Sequence, residues 1–593
     1  MRWKPLALSA IAATVLVGLS IGVSYAQFTG GQTPIFTAPP GSPEALSTLH
    51  ITGFVNSTFG TFINTEAIEW RGSKNSLSSA RQLLQIDVND NLTENDQVFL
   101  RLWGVYEPPY PAESGNCPQG NAQFRGYGLL RGAPAAPPRP AGACNSDFYS
   151  DYNVPREFWV KHRWGPLQLF IGKQLTVWGE SVAFRAMDQI NPVNTSYAFG
   201  FANLEDSRMP VWMIHPILNL PDLGPAAANF IELVYVPGVD YLWSSVDYSN
   251  DQYDGQDAVA GRVSLGAQNP NAARFSVRAN PATVIATPPG APAPRAVASA
   301  WPLVMYQVGG PAGTGFYTPT TYIQIPRATW GNSQVFIRLH TLLYDTEMTA
   351  AYAWSHDYGS VFGLTNNYQV VSAAGHVYSR DIRQFYPQWM GGGMTANKPL
   401  YLPGPLAQLP FVARFEAFYK NHEAYNTKFV PGTYYTNWNT GIGSPTAVTR
   451  SDVVYWILGL DLDSAFVPEL STTGSLTMNF EIDGTSILSP SKYMVPGPTL
   501  QPVYHNDIGG SINIADSWWW GAIAPAWTMS YNPNGETFLL FPGVTLTPPW
   551  TTKYFMALKW IEILGTNPYG FDGGAFKGES TLEAIFQYNF AIM

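Results

Sequence analysis

The chain has 593 residues, of which 12% are charged and 14% are aromatic, and its formal net charge is −10 at pH 7. Soluble domains contain roughly 25% charged residues, so this composition is unusually poor in charge. Because the balance is acidic and no basic cluster is present, the sequence gives no reason to expect a nucleic-acid partner. No run of about 18 consecutive apolar residues follows the first thirty positions, which excludes a membrane-spanning helix there.

The N-terminus has the pattern of a secretory signal peptide. Arg2 and Lys4 precede the apolar run "PLALSAIAATVLVGLSIGV", and the small residues of "SYA" favour cleavage before Gln27. We therefore predict a signal peptide at residues 1–26 and a short periplasmic segment at 27–47. The alternative is that the same apolar run stays uncleaved as a membrane anchor.

Many of the later segments alternate between apolar and polar residues. In "SLTMNFEID", Phe480 and Ile482 share one side, and Glu481 and Asp483 share the other. Alternation with period 2 predicts half-buried strands, in either a soluble sandwich or a membrane barrel. The export signal, the low charge and the abundant Trp and Tyr favour a barrel, whose apolar side faces lipid and whose polar side faces the lumen. The charged residues expected to face the lumen are Arg101, Arg338, Arg414, Glu416, Glu481 and Asp483.

The predicted fold is an all-β transmembrane antiparallel barrel in the bacterial outer membrane, in contact with its lipid. It would span residues 48–593 with about 14 to 18 strands, long extracellular loops and one loop folded inward. The last strand, in "STLEAIFQYNFAIM", is aromatic and alternates in the same way. Strand directions counted from the two ends of the chain disagree, so one strand between residues 238 and 517 escapes the pattern.

Two long insertions are predicted to be loops. The Pro/Gly-rich insertion 107–154 falls on the extracellular side of the strand count and contains Cys117 and Cys144. In an exported chain, two nearby cysteines predict a disulfide more readily than a metal site. The second insertion, 268–332, is rich in Pro, Ala and Gly and is predicted to be a loop by its composition.

The stretch 178–208 has no apolar period and contains four acids and two arginines among its polar residues. Charges in or above a lumen would be paired to offset desolvation, and arginine forks suit carboxylate partners. We predict a plug or constriction, although the same residues could merely brace a loop against the wall. The candidate residues are Trp178, Glu180, Arg185, Asp188, Asn191, Glu205, Asp206 and Arg208.

Residues 156–237 resemble the large outer-membrane barrel proteins of the family DUF1302. The resemblance rests on motifs that occur in order: "GKQ" at 172–174, "VWGE" at 177–180, "EDSR" at 205–208 and "PVWM" at 210–213. It implies an outer-membrane barrel associated with the transport of lipids or hydrophobic compounds, beside a possible envelope transporter partner. It does not name a substrate.

The sequence offers little support for an enzyme. "WGES" and "GES" are not Gly-x-Ser-x-Gly elbows, and the eight histidines have no metal-ligand spacing, so no catalytic residue, metal or cofactor is predicted. The predicted function is an outer-membrane channel or transporter for small, hydrophobic or amphipathic molecules. The alternative is a closed barrel that acts as a structural or docking partner in an envelope transport complex.

Overall fold

The fold is known from a computed structural model, which describes residues 49–64, 77–106, 155–181, 184–192, 208–238, 295–300, 303–308, 315–317, 321–324, 329–357, 361–371, 377–385, 387–404, 409–427, 448–465, 476–490, 494–495, 504–565 and 580–591. The predicted signal peptide, the periplasmic segment and the insertion with Cys117 and Cys144 lie outside these residues. No helix in the described ranges is long and apolar enough to cross a membrane.

The described chain is almost entirely strand, with one short 3-10 turn at Trp330–Asn332. In chain order the strands are β1 His50–Asn64, β2 Leu77–Asn91, β3 Asp96–Tyr106, β4 Glu157–Trp164, β5 Leu167–Gln174, β6 Val211–Asn219, β7 Ala226–Val236, β8 Arg295–Ala300, β9 Leu303–Val308, β10 Gly315–Tyr317, β11 Thr321–Gln324, β12 Gln334–Leu343, β13 Thr346–His356, β14 Val361–Val371, β15 Val377–Phe385, β16 Gln388–Leu400, β17 Phe411–Thr427, β18 Val448–Ala465, β19 Leu476–Ile487, β20 Met494–Val495, β21 Asn506–Ala515, β22 Ile523–Asn532, β23 Thr537–Leu546, β24 Tyr554–Gly565 and β25 Ser580–Ala591.

Eighteen of these strands form one closed antiparallel barrel, which confirms the predicted fold class at the upper end of its range. They are β1–β7, β12, β13, β16–β19 and β21–β25. Each pairs with its neighbour along the wall, and β25 closes the barrel by pairing with β1 from Thr52↔Ala591 to Asn64↔Ser580. Closure leaves no free sheet edge in the wall, which a chain in lipid requires because the bilayer offers no hydrogen-bond partners.

The two faces of each barrel strand differ in the way the alternation predicted. On β12, Ile337 and Leu339 are 43% and 47% exposed, whereas Arg338 between them is 5% exposed. On β19, Ile482 is 53% exposed and the adjacent Glu481 is 2% exposed. Apolar side chains therefore cover the outside of the barrel and charged ones lie inside, which is the arrangement of an outer-membrane barrel.

The connections at the two ends of the barrel differ in length. Residues 92–95, 165–166 and 344–345 form short turns at one end, whereas 107–156 and 237–333 are long connections at the other. Outer-membrane barrels have short periplasmic turns and long extracellular loops, which sets the orientation of the wall. Strand β24 accordingly runs outward.

Four exposed tryptophans lie at the periplasmic end. Trp164, Trp519, Trp520 and Trp550 lie in or beside short turns and are 54%, 59%, 74% and 82% exposed. Indole rings prefer the boundary between lipid headgroups and hydrocarbon. These turns therefore lie at the periplasmic interface between the outer membrane and water.

The remaining strands lie outside the barrel wall. Strands β8–β10 form one small sheet, β11, β14 and β15 form another, and β20 pairs with the end of β17. Four of these strands, β8–β11, fall within the predicted loop 268–332. The described part of that connection is therefore partly regular rather than wholly irregular.

Candidate functional site: a segment folded into the barrel

The connection from β5 to β6 enters the barrel and binds to the inner face of β17. The carboxylate of Glu416, which is 1% exposed, accepts backbone N–H groups from Glu180, from Ser181 at 2.6 Å and from Met187 at 3.3 Å. Those donors lie more than two hundred residues before their acceptor in the chain. We call residues 175–192 the inner segment, of which 182 and 183 lie outside the described ranges.

Strands β17 and β19 add two further attachments to the inner segment. Arg414 on β17 donates to the backbone carbonyl of Glu180, and it is itself held by Glu481 at 2.8 Å and by Asp461 at 2.9 Å. The hydroxyl of Ser181 donates to the same Glu481 at 3.0 Å. Three predicted lumen-facing residues therefore form one charged row that grips the backbone of the inner segment.

A second network holds the inner segment in its own shape. Asp188 is 2% exposed and receives Arg185 at 3.0 Å and Arg208 at 2.8 Å. Burial by itself would raise the pKa of Asp188, but the two guanidinium groups hold that pKa below its ordinary value of 3.8. Arg185 also donates to the backbone carbonyl of Asn191 at 2.7 Å, so it links the ion pair to the end of the segment.

Asn191 links the end of β5, from which the inner segment departs, to the residues just before β6, where the chain returns to the wall. Its side-chain amide is fully buried and donates to the carbonyls of Gln174, at 3.1 Å, and Met209, at 2.8 Å. Its side-chain oxygen accepts the N–H of Thr176 at 2.8 Å. These three bonds satisfy the hydrogen-bonding groups of a buried amide, as its burial requires. They also close the base of the loop.

An apolar cluster fills the space between the inner segment and the wall. Trp178 is 2% exposed and packs edge-to-face on Phe336 of β12, with ring centres 6.2 Å apart. Met187 and Ile190 of the inner segment, with Trp389 among their wall partners, belong to the same cluster. Part of the barrel interior is therefore a dry contact between loop and wall rather than open water.

Charged groups adjoin this cluster. The guanidinium carbon of Arg338 lies 5.2 Å from the centre of the Trp178 ring. Two guanidinium nitrogens of Arg338 contact one carboxylate oxygen of Glu232 on β7, at 2.5 and 2.7 Å. His215 of β6 contacts the other oxygen of Glu232 at 2.7 Å. The inner segment thus lies between a row that includes Arg338 and a row that includes Arg414.

The six predicted lumen-facing residues all lie on the inner face. Five are buried or nearly so, whereas Asp483 is half-buried. Arg101 lies apart from the inner segment and contacts Asp87 at 2.8 Å and Glu157 at 2.9 Å. Of the predicted plug residues, Glu205 and Asp206 lie outside the described ranges, and the other six are brought together as described above.

Three contributors were not predicted. Glu232 and His215 lie on strands and have no local pattern that separates them from other inward residues. Gly393 of β16 leaves room for the inner segment, since a Cβ there would lie 2.4 Å from the sulfur of Met187. Its only sequence signal is a glycine run inside a strand, which can mark a close approach of another chain segment.

Within the described residues, no group of three or more His, Cys, Asp and Glu side chains is arranged to hold a metal ion.

Comparison with known proteins supports the family resemblance. The model of the family described as "Protein of unknown function (DUF1302)" matches residues 79–229, which include β2–β6 and the inner segment. No match was found among curated proteins.

Solved structures similar to this chain include three bacterial outer-membrane proteins. They are OccAB1 of Acinetobacter baumannii (7% identity, TM-score 0.42, covering 92% of this chain and 97% of that one), OpdK of Pseudomonas aeruginosa with vanillate (6%, 0.39, 92% and 98%) and the outer membrane channel DcaP of Acinetobacter baumannii (8%, 0.31, 93% and 99%). At these values the similarity is too low to transfer a substrate or a mechanism.

Proposed function

We propose that this chain, whose residues 79–229 match the family DUF1302, is an outer-membrane channel for small hydrophobic or amphipathic molecules. The inner segment is the constriction through which they pass. The observation that carries the proposal is the attachment of this segment, by Glu416, to a wall inside a closed barrel. The same attachment would serve a segment that only braces the wall, and the replacement described below separates that role from a constriction.

The surroundings of the inner segment support the class of substrate. Ordinary water-filled barrels have a polar interior, so a buried apolar cluster around Trp178 and Phe336 is unusual. The ion-paired groups of Arg338 and Arg414 lie close to the same segment. While the inner segment is docked, these apolar side chains are buried in their own contact. Movement of the segment exposes apolar surface beside fixed charge, which suits a molecule with a hydrocarbon part and a polar part.

A matched pair of proteins tests the proposal. Wild type and a variant with residues 181–191 replaced by a Gly/Ser linker of equal length are reconstituted in planar bilayers. We expect measurable single-channel conductance from wild type and a larger conductance from the variant, because the linker lacks the side chains that hold and fill the constriction.

A second measurement addresses the substrate and the alternative function. Cells that express wild type should take up the hydrophobic dye N-phenyl-1-naphthylamine faster than cells that lack the protein. A folded wild-type barrel with neither conductance nor dye uptake would refute the channel. That result would favour the alternative of a closed barrel that docks to an envelope transporter.

A further inference from the structure

The pairing of β23 with β24 contains a proline in its middle. Leu540 pairs with Glu562 and Gly543 pairs with Lys559, and Pro542 lies between these two pairs. On its other side Pro542 still pairs with Trp527 of β22. Proline has no N–H to donate, and within sheets it is largely confined to edges and bulges. Its place in a closed wall therefore marks a weaker seam towards β24.

The inner face of the wall is apolar at this same level. Leu539 and Ile563, which are direct partners across the two strands, form a buried cluster with Ile561. They are 7%, 2% and 6% exposed, and Phe541 packs against them. This cluster differs from the inner face of β17 and β19, where Arg414 and its carboxylate partners lie. Polar inner faces are the rule in barrels, so a packed apolar cluster on the inner side of the seam is unusual.

The outer face of the seam is also distinctive. Trp527 and Trp560 point outward, 47% and 45% exposed, and the strand register places Pro542 between them. The indole N–H of Trp560 donates to Glu562 at 2.9 Å. Glu562 lies near the extracellular end of β24, and the level of Pro542 is two residues below it, or about 7 Å along the strand. The seam therefore lies at the level of the outer leaflet.

From these three coincident features we propose that the wall between β23 and β24 is a lateral exit from the lumen into the outer leaflet. Its occupant is a small apolar molecule, which moves from the cluster of Leu539, Ile561 and Ile563 past Pro542 into the hydrocarbon of the membrane. The route avoids water, because apolar side chains cover the inner side and lipid covers the outer side. No bond is made or broken. The inference rests on the proposed function, since the molecule must first enter the lumen.

Replacing Pro542 with valine tests the exit. Valine restores the backbone N–H and favours a strand, so the seam should open less often. We expect uptake of N-phenyl-1-naphthylamine by cells to fall about fivefold, the effect of one net backbone hydrogen bond on an opening equilibrium. Single-channel conductance in potassium chloride should stay at the wild-type value, because ions follow the axial route.

A matched control is available in the next strand. Pro525 of β22 is also a wall proline, and it pairs with Val544 far from the apolar cluster. Pro525→Val should change neither dye uptake nor conductance. If Pro542→Val does not fold, Leu539→Asn serves instead, since it places an amide in the apolar cluster without altering backbone pairing, and it should reduce dye uptake similarly.

The outcomes separate this inference from the proposed function. Dye uptake by wild type that does not exceed uptake by cells lacking the protein overturns both the hydrophobic substrate class of the proposed function and the lateral exit, whereas the channel itself is overturned only if conductance is absent too. Uptake by wild type that Pro542→Val and Leu539→Asn leave unchanged overturns the lateral exit alone. An equal loss of uptake in Pro525→Val also overturns it, because the effect would then not be specific to the seam.

Discussion

Glu416→Gln is the most direct test of how the inner segment is held. The carboxylate accepts three backbone N–H groups, two on one oxygen and one, from Met187, on the other. A glutamine of the same shape keeps one acceptor oxygen. Its NH₂ group takes the place of the other oxygen and cannot accept the backbone N–H groups that point at it. The variant therefore loses the charge and at least one bond.

The magnitude follows from these bonds. A hydrogen bond to a charged group contributes about 1.5–3 kcal/mol, and a buried donor left without an acceptor costs about 1–3 kcal/mol. The Met187 bond is long, at 3.3 Å, and counts at the lower end. We expect the docked state of the inner segment to lose about 2–4 kcal/mol. Since about 1.4 kcal/mol is a factor of ten, its population relative to the undocked state should fall by roughly 30- to 1000-fold.

Single-channel recording in planar bilayers measures this effect. Wild type should show one dominant conductance level, and Glu416→Gln should show larger or fluctuating levels, because the segment leaves the wall part of the time. Asp87→Asn is the matched control: it also removes an inner-wall carboxylate, but the contacts of Asp87 are to Arg101 and Gln85. If a folded Glu416→Gln barrel gave the wild-type conductance level and noise, the attachment of the segment would not set the pore.

Other substitutions have equally specific outcomes. Gly393→Ala should displace Met187 and change the conductance, because the added methyl group overlaps its sulfur as well as the wall, whereas Gly391→Ala, which meets only wall atoms at similar distances, should not; equal effects in both would contradict this account. Trp178→Ala should destabilise the docked segment by about 3–5 kcal/mol through lost packing, seen as increased cleavage by a protease added to the folded barrel. Asp188→Asn should increase cleavage too, since it leaves the buried guanidinium of Arg208 and the partly exposed one of Arg185 without their carboxylate. Because the pKa of Asp188 is lowered, its stabilisation is complete above 3.8 and is lost only as the pH falls through the lowered value. The ratio of cleavage between Asp188→Asn and wild type should therefore be the same at about pH 8 and at about pH 5, and a ratio that fell towards one within that range would contradict the assignment.

The alternation of residues was enough to predict the barrel wall. Ile337, Arg338 and Leu339 face out, in and out because successive side chains on a strand point to opposite faces. This alternation is a local property of the chain. It is visible in the sequence because lipid on one face and an enclosed lumen on the other require different residue types. The pattern also predicts strands at about 49–63, 81–89, 97–106, 156–164 and 167–177, close to the observed bounds of β1 to β5. It missed β16 because Gly391, Gly392 and Gly393 carry no side chains that could alternate.

The sequence also identified the inner segment as unusual, from its charges and its family motif, but not what holds it. The attachment of Ser181 to Glu416 and the contact of Met187 at Gly393 join positions that are distant in the chain. Nothing in the local pattern distinguishes Glu416 from any other inward carboxylate. Which inward group meets the segment depends on how the closed wall brings β17 opposite β5, and only the tertiary structure determines that geometry.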